Sequence, residues 1–366
     1  MKPYESPAEQ AFFELVRCGM LDSEPDAALF AALGAEGWSA VSDMARRQTV
    51  SGICYSAFCR LPGGLLPPHE LLTRWVARVN AIETANRRMS AALVRLVEVM
   101  RASGLSPIVQ KGLSVSRFYP APELRECGDI DLWLPAAQFA RGVAVAAGFD
   151  PNLRRNPDSS VSFVCGGFIV ELHKSLVNIS RPRAARRLDA IIGRMCAAGT
   201  GHSPVPSPPP MLELLLIAVH IMRHAFGTGV GLRQICDYIC ACRALAGAYS
   251  PDEFAATCRE LGISRWIAML NRLSALYFGV PAEILPPSGL DGADAGAISP
   301  VPLMEIIRQG GNFGHHLPGR SDKKGLRHSK LHTAAMFVRR ARFAASVAPA
   351  EAMWAFIRLA FGQIYC

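Results

Sequence analysis

The segment from Gly128 to Leu132 restricts the possible folds most strongly, because it alternates carboxylates with aliphatic side chains. Successive side chains of a β-strand point to opposite faces, so Asp129 and Asp131 would share one face. Ile130 and Leu132 would then pack into a core. Two neighbouring carboxylates repel each other unless a cation lies between them, and hard divalent ions prefer such oxygen ligands. The segment therefore predicts a strand with metal-assisted phosphoryl chemistry on its polar face.

The hydrophobic pattern on both sides of this strand is helical. From Pro7 to about Ser103, apolar residues recur at three- and four-residue intervals, which is the period of an amphipathic helix. Short apolar segments follow, including a pair joined by Gly166-Gly167 that predicts a tight hairpin. Beyond Arg181 the helical pattern returns. The sequence thus predicts an α+β chain whose small α/β unit leans on helical regions.

Changes of pattern divide the chain into four predicted regions. A helical region covers residues 1–104, an α/β core 105–178, a helical domain 179–298 and a basic C-terminal region 299–366. The proline-rich run from Ser203 to Pro210 predicts a stiff linker or loop, since its prolines donate no backbone hydrogen bonds. All predicted strands therefore fall in the second region.

Composition and the N-terminus indicate where the protein resides. Half of the residues are hydrophobic, yet no apolar run approaches the roughly 18 to 20 residues that span a bilayer. The N-terminus lacks the apolar segment of a secretory signal. The eleven cysteines are scattered and have no paired CxxC spacing of a zinc site. We therefore expect a cytoplasmic protein without a membrane span, whose cysteines are mostly small buried hydrophobes.

Basic residues concentrate between Arg308 and Arg342, where Asp322 is the only acidic residue. The basic residues inside this span are Arg320, Lys323, Lys324, Arg327, Lys330, Arg339 and Arg340. Such a patch could hold a triphosphate, a nucleic acid or an acidic surface. A solvated loop followed by a charged helix face is an equally good interpretation.

A second acidic strand is predicted at Val170-Glu171-Leu172-His173, where Glu171 and His173 would share one face. Two metal ions about 3.5 to 4 Å apart can neutralise a triphosphate and activate an attacking hydroxyl, and such a site usually needs three carboxylates. Glu171 could supply the third. His173 could hydrogen-bond a phosphate or orient the acceptor. The exposed face of an ordinary hairpin would look the same, so the upstream aspartates decide between the two interpretations.

Together these motifs resemble those of a known family. The run KGLSVSRFYPAPELRECGDIDLWL, from Lys111 to Leu134, is similar to the signature of the uncharacterised nucleotidyltransferase family within the DNA polymerase β-like superfamily. It also resembles toxin-type nucleotidyltransferases of abortive infection systems. The likeness continues at four further places, which are the acidic strand 170–173, His220 with His224, the segment 231–237 and the glycine-rich segment 310–314. The resemblance implies a small polymerase β-like α/β core embedded in mostly helical N- and C-terminal regions.

The resemblance also implies roles for individual residues. Asp129, Asp131 and Glu171 would bind Mg²⁺ or Mn²⁺ and carry catalysis. The residues that would hold the NTP are Lys111, Gly112, Ser114, Arg125, His173 and Arg233. The superfamily's glycine motif is usually Gly-Ser or Gly-Gly, whereas Leu113 follows the glycine here. Ser114 or Ser116, with the N-terminus of the following helix, could substitute by offering hydroxyl and N–H groups to phosphate.

Plainer interpretations exist for the charged residues near this motif. Arg125 could pair with Glu126 or Asp129, and Lys111 could be a surface cation beside a turn. Tyr119 would then pack a helix against the sheet. Arg233 and Asp237 lie one helical turn apart and could form an ion pair. His220 and His224 have the same spacing and could form a buried hydrogen-bonded pair.

Three functional hypotheses follow. The first is an enzyme that moves an NMP from an NTP to a small molecule, sugar or peptide and releases pyrophosphate. The second is a non-catalytic nucleotide-binding or regulatory module, which the altered glycine motif favours. The third is an RNA-directed nucleotidyltransferase that tracks nucleic acid with the basic region. It ranks behind the first because the basic region lacks interleaved aromatic residues that would stack on bases.

Overall fold

The structure is a computed structural model of the 366-residue chain. It describes residues 4–156, 158–176, 179–197, 203–227, 229–310 and 338–360. Most of the predicted basic patch, from Arg320 to Lys330, lies outside the described residues. The same is true of the glycine-rich segment after Gly310. The predictions made for these segments therefore stay predictions.

The first hundred residues form helices, as their periodicity predicts. These are α1 (Pro7–Leu21), α2 (Ala28–Ala31), α3 (Ala35–Arg47), α4 (Ser51–Phe58) and α5 (His69–Ala102). Helix α1 begins where the Ser6 side chain accepts a hydrogen bond from the amide of Glu9, which satisfies one otherwise unpaired N–H group. The 34 residues of α5 follow the prediction that the chain stays helical up to residue 103.

The chain after the sheet is helical again. Its helices are α8 (Pro182–Ala197), α9 (Pro210–Phe226), α10 (Leu232–Leu245), α11 (Pro251–Leu261), α12 (Ser264–Phe278), α13 (Gly292–Gly296), α14 (Val301–Gly310), α15 (338–347) and α16 (Pro349–Ala360). Short 3₁₀ turns lie at Gly63–Leu65, Pro122–Leu124 and Ala282–Ile284. Throughout the described part of the chain, no helix has both the length and the apolar character that crossing a bilayer requires.

Between these helical regions lies one five-stranded mixed sheet. Its elements are β1 (Ile108–Gln110), α6 (Gly112–Ser116), β2 (Ile130–Trp133), α7 (Ala136–Ala147), β3 (Arg154–Arg155), β4 (Val161–Cys165) and β5 (Phe168–His173). The strand order is β1-β2-β5-β4-β3, with β2 parallel to β5 and the other pairs antiparallel. The α+β prediction is confirmed. The two-residue strand β3 has no alternating pattern that could have predicted it.

The predicted hairpin between β4 and β5 is present. Gly166 and Gly167 both have positive φ angles, of 61° and 86°. Left-handed backbone at both positions is what a two-residue turn between twisted strands requires, and glycine adopts it without a steric penalty. The hairpin pairs Cys165 with Phe168 and Ser162 with Glu171. The turn therefore sets which residues of β4 and β5 share a face.

One face of the sheet is apolar and packs against helices. Ile130, Leu132, Val170 and Leu172 are at most 1% exposed and belong to a core that includes side chains of α5 and α7. The alternate residues of β2 and β5 point to the opposite face. The alternation predicted from residues 128–132 is thus realised in the tertiary structure.

A second, larger core joins the N-terminal helices to the later ones. It contains buried residues from Ala11 in α1 to Ala355 in α16. Tyr4 donates a hydrogen bond to the carbonyl of Tyr277, which connects the N-terminal segment to α12. Cysteines of α10, such as Cys236 and Cys240, are fully buried in it. The proposed division into four regions stays a prediction about chain organisation.

Candidate active site

Two carboxylates and an imidazole meet on the polar face of the sheet. Asp131 on β2 pairs in register with Glu171 on β5, and His173 follows two residues later on the same strand. The Nε2 atom of His173 lies 2.8 Å from Oδ1 of Asp131 and 3.5 Å from Oε2 of Glu171. We call Asp131, Glu171 and His173 the acidic cluster. The parallel pairing of two distant strands, with period-two side chains, brings these residues together.

The acidic cluster has a donor set that fits a metal ion. One ligand atom from each of its three residues lies within 4.8 Å of the other two. Carboxylate oxygens suit Mg²⁺ and Mn²⁺, and an imidazole nitrogen is a common ligand of transition metals. The sequence assigned His173 to phosphate or acceptor, but its ring nitrogen is a member of this compact group. The strand alternation that placed Glu171 and His173 on one face was the signal that could have shown this.

Asp129, the third predicted metal ligand, lies one residue before β2 begins. It lines the same pocket as Asp131 and Glu171 but is not a member of the compact donor group. Burial, followed by repulsion from Asp131, raises the pKa of Asp129 to about 6. Its assignment as a metal ligand therefore stays a prediction, which requires a change of its side-chain rotamer.

Lys111 directly follows β1, the second neighbour of β2, and its side chain extends into the acidic cluster. Its Nζ atom donates to Oδ1 of Asp131 at 3.3 Å. The backbone at Lys111 has φ 54° and ψ −154°, a region that residues with a Cβ atom rarely occupy and that costs about 1–3 kcal/mol. Gly112 follows with φ 35°. Strain of this kind clusters at functional sites, because the surrounding fold must hold the residue in place.

The charges around Asp131 and His173 set their protonation. Burial opposes ionisation of Asp131, but the Lys111 ammonium and the His173 hydrogen bond hold the pKa of this carboxyl well below its usual range. Burial also favours neutral His173, yet its hydrogen bonds to Asp131 and Glu171 raise the pKa of the imidazole to about 9. At neutral pH the cluster therefore holds an ionised aspartate next to a protonated histidine.

A pocket opens beside the acidic cluster, between the sheet and helices α6, α9 and α10. The predicted site residues that line it are Lys111, Gly112, Arg125, Asp129, Asp131, Glu171 and Arg233. It combines the carboxylates of the sheet with the cationic side chains of Lys111 and Arg233. A pocket with this charge distribution can hold a metal ion and an anionic ligand next to each other.

Ser114, the predicted substitute for the superfamily's serine, makes different contacts. It is fully buried, and its hydroxyl donates to Oε1 of Glu213 at 2.8 Å. Arg117 also pairs with Glu213, which fixes α6 against the start of α9. The hydroxyl of Ser116 donates to the carbonyl of Leu113. The role of Ser114 toward phosphate stays a prediction.

Arg125 is buried in an ion pair on the pocket wall. Its Nε and Nη2 atoms donate to the two carboxylate oxygens of Asp237 at 2.9 and 2.6 Å. The hydroxyl of Tyr119 donates to the same carboxylate at 2.7 Å. We call Arg125, Asp237 and Tyr119 the arginine cluster. Burial disfavours the charged guanidinium, but Asp237 outweighs this effect and raises the pKa of Arg125.

The arginine cluster connects the loop before β2 to α10. The charge of Asp237 acts on Arg233, as spacing within α10 suggested. The carboxylate also accepts hydrogen bonds from Tyr119 and Arg125, more than 110 residues earlier in the chain. Arg233 donates to the carbonyl of Glu126 at 2.5 Å. Burial lowers the pKa of Arg233, and the neighbouring charge of Arg125 acts in the same direction. No local sequence signal could have revealed contacts between such distant segments.

His220 and His224 line the pocket from α9, facing the sheet. Their ring centroids are 4.4 Å apart, so the two rings are in contact. The predicted hydrogen bond between them stays a prediction. Burial holds the pKa of His220 well below its usual value, with Lys111 acting in the same direction. Burial lowers the pKa of His224 to about 3, helped by the charge of Arg223. The two rings thus form a neutral polar wall opposite the carboxylates.

Two described arginines of the predicted basic patch are engaged inside the protein. Arg340 is buried and donates to the carbonyls of Ala225 and Gly227 at 3.2 and 2.7 Å. Arg308 donates to Oε1 of Glu9 at 2.8 Å. These two side chains support the helical core, so they are not the free cations that the basic patch required.

Comparison with known proteins agrees with this geometry. The family model described as an uncharacterised nucleotidyltransferase matches residues 34–279, which is more than half of the chain. The match includes the sheet, the acidic cluster, the arginine cluster and helices α9 and α10. Searches of the curated proteins and of the solved structures find no match. The chain belongs to the uncharacterised nucleotidyltransferase family.

Proposed function

We propose that this protein transfers a nucleoside monophosphate from an NTP to an acceptor hydroxyl, with release of pyrophosphate and with Mg²⁺ or Mn²⁺ as cofactor. The observation that carries the proposal is the shared pocket, in which the carboxylates of Asp131 and Glu171 face the cationic side chains of Lys111 and Arg233. Membership of a nucleotidyltransferase family supports the reaction class. The acceptor is a small molecule, sugar or peptide.

Each group of side chains has its own task in this proposal. The acidic cluster, joined by Asp129, would hold the metal, which supplies charge neutralisation at the triphosphate and lowers the pKa of the acceptor hydroxyl. Lys111 would leave Asp131 for a phosphate oxygen, since an anionic ligand competes for the same ammonium. Arg233 adds positive charge to the same pocket. His220 and His224 provide neutral hydrogen-bonding groups on the opposite wall.

The proposed step is an in-line displacement at the α-phosphorus. The acceptor oxygen forms a bond to this atom while the bond to the bridging oxygen of the β-phosphate breaks. Pyrophosphate leaves with the electron pair. Glu171 is the suited base for the acceptor proton, because its side chain is 33% exposed whereas that of Asp131 is 7% exposed. It therefore lies on the side of the cluster from which an acceptor can approach.

The test is an incubation with each α-labelled NTP and Mg²⁺ or Mn²⁺, followed by assays for pyrophosphate and for labelled product or self-labelled protein. Asp131→Asn should lower turnover by at least about 100-fold, because it removes a charge that the transition state needs. Asp43→Asn is the matched control, since Asp43 is an exposed carboxylate on α3 whose side chain is 65% exposed.

Full metal-dependent turnover in Asp131→Asn would exclude the proposed mechanism. Nucleotide binding by calorimetry without pyrophosphate release, over a panel of hydroxyl acceptors, would instead favour the binding module. Its support is the glycine motif, in which Ser114 is hydrogen-bonded to Glu213. The two outcomes separate an enzyme from a nucleotide-binding protein with the same pocket.

A further inference from the structure

The polar face of the sheet continues beyond the pocket, and this extension has no role in the proposed chemistry. A single row of paired residues crosses all five strands, from Gln110 through Asp131, Glu171 and Ser162 to Arg154. Directly paired residues of neighbouring strands lie on the same face. The row is buried at Gln110 and exposed at Arg154. The face is therefore covered over β1 and open over β3, β4 and β5.

Two large aliphatic side chains are exposed on this open part. Val164 on β4 is 47% exposed and Ile169 on β5 is 55% exposed. They are direct cross-strand partners, so their side chains form one contiguous apolar patch. Single exposed apolar residues are common on protein surfaces, whereas contiguous patches are more often binding surfaces.

The patch lies next to the side of the site where the acceptor must enter. Ile169 precedes Glu171 by two residues on one strand, so their Cα atoms are about 7 Å apart. Glu171 lines the pocket, whereas Ile169 and Val164 lie outside it. The cations that suit a triphosphate, such as Lys111 and Arg233, line the pocket. A molecule that lies across Ile169 and Val164 therefore reaches the acidic cluster from the β4 side of the sheet, whereas Lys111 follows β1 at the other end of the strand order.

A cation lies farther along the same row. Arg154 pairs with Ser162, which pairs with Glu171, so two strand spacings of about 4.8 Å separate Arg154 from Glu171. The side chain of Arg154 is exposed at the sheet edge. The carboxylate of Asp150, four residues before Arg154 in the chain, accepts a hydrogen bond from the amide of Val164. Within the described part of the chain it forms no ion pair with Arg154. Arg154 is thus available to an anionic group about 10 Å from the acidic cluster.

The shape of this surface favours a polypeptide over a small molecule. Small ligands need a concave site that buries most of their surface, whereas an extended chain can bind a flat, open face. The exposed side chains are aliphatic, so they offer no aromatic ring on which a nucleobase could stack. Apolar contacts next to an arginine instead suit a peptide segment that carries one apolar and one acidic side chain.

We propose that Val164, Ile169 and Arg154 form an acceptor platform for a hydroxyl side chain of a partner polypeptide. The inference rests on the proposed function, because it names the acceptor class for that reaction. The acceptor is a serine, threonine or tyrosine with an apolar residue two positions before it, because alternate side chains of an extended chain share one face. An acidic residue lies four positions before the hydroxyl residue, on the same face, and its side chain and that of Arg154 meet at about 10 to 13 Å from Glu171. The hydroxyl oxygen takes the nucleoside monophosphate, its proton passes to Glu171, and pyrophosphate leaves.

The platform is tested first by peptide binding without nucleotide. The probe is a fluorescein-labelled nine-residue peptide with glutamate at position one, leucine at position three and threonine at position five, in a background of glycine and asparagine, so that the three side chains share one face. Ile169→Asn should weaken its binding by about tenfold in an anisotropy titration, because it removes the apolar contact. The control is Val99→Asn, because Val99 is 42% exposed on α5, which packs against the other face.

Charge reversal tests the second contact. Arg154→Glu should weaken binding of the same peptide by about tenfold, and replacing the glutamate of the peptide by lysine should restore it. The matched control is Arg155→Glu. Arg155 is equally exposed on β3 but pairs with Val161, whose side chain lies on the buried face. It should leave binding unchanged.

Labelling then links the platform to the reaction. With α-labelled NTP and Mn²⁺, the threonine peptide should become labelled, and a peptide with valine at position five should bind without being labelled. Binding that is equal in all variants, or no binding by the wild-type protein, overturns the platform even if pyrophosphate is released. Variant-sensitive binding without pyrophosphate release from any NTP supports the platform and overturns the proposed transfer reaction.

Discussion

The arginine cluster and the acidic cluster are neighbours on the wall of one pocket, but their charges are balanced in opposite ways. In the arginine cluster, one carboxylate receives hydrogen bonds from Arg125 and Tyr119. Its ion pair is closed, with side chains of Arg125 and Asp237 only 5% and 9% exposed. In the acidic cluster, His173 lies against both Asp131 and Glu171. The first cluster is complete, whereas the second has carboxylate oxygens left for a cation.

From this difference we expect the arginine cluster to support the fold and the acidic cluster to serve the proposed reaction. A closed buried pair is costly to break, because the remaining charge stays desolvated. The carboxylates of Asp131 and Glu171 both repel Asp129, and a bound cation removes that repulsion. Substitution in the arginine cluster should therefore affect stability, and substitution in the acidic cluster should affect activity.

Asp237→Asn should have the largest effect on stability. It leaves the buried guanidinium of Arg125 without its counter-charge, so the free energy of unfolding should fall by about 3–5 kcal/mol. Urea unfolding followed by circular dichroism measures this change, with Asp43→Asn as the exposed control. A loss below about 1 kcal/mol, which is the value of an exposed ion pair, would mean that the arginine cluster does not support the fold.

Glu171→Gln should produce the opposite result. Turnover should fall by about 100-fold, because a negative charge that faces the metal is lost. The free energy of unfolding should change by less than about 1 kcal/mol, because the repulsion between Glu171 and Asp129 is lost together with the hydrogen bond from His173 to Glu171. Parallel assays of pyrophosphate release and urea unfolding on one protein preparation separate the two effects. Lost stability with retained turnover would contradict the assignment of Glu171.

The pH dependence of metal binding should distinguish a metal ligand from an ion-pair partner at His173. The pKa of His173 is raised to about 9, so the imidazole is protonated at neutral pH and must release its proton to ligate. Affinity for Mn²⁺ should then increase by up to about tenfold per pH unit between pH 7 and pH 9. Calorimetry in buffers of different ionisation enthalpy measures the released proton. His173→Gln should flatten this dependence; an unchanged slope would show that His173 does not ligate.

Lys111→Met should have the smallest of these effects. Losing one charge-assisted contact to phosphate should weaken binding of a non-hydrolysable NTP by about tenfold. The control is Lys174→Met, because Lys174 is exposed and follows directly after β5. Unchanged nucleotide affinity would leave Lys111 as a structural partner of Asp131. The free energy of unfolding should change little, because the side chain of Lys111 is only partly buried.

Much of the candidate site follows from local patterns. Alternation over residues 128–132 and 170–173 predicts both acidic strands and their buried faces, and the Gly166-Gly167 pair predicts the hairpin. Contacts between distant segments were not predictable in this way. Asp237 has a basic residue one helical turn away in Arg233, so spacing favoured a local pair. The hydrogen bond of Ser114 to Glu213 could not be foreseen either, because 99 residues separate them.

The sequence by itself determined the α+β class, the polar and apolar faces of the two acidic strands, and the residue types that suit metal and phosphate. These properties depend on periods of two and 3.6 residues, which are local. Only the tertiary structure decided that β2 and β5 are parallel neighbours, that His173 joins Asp131 and Glu171, and that Arg125 is engaged by α10. Such contacts depend on the packing of whole helices and strands, and residues from many parts of the chain determine that packing together.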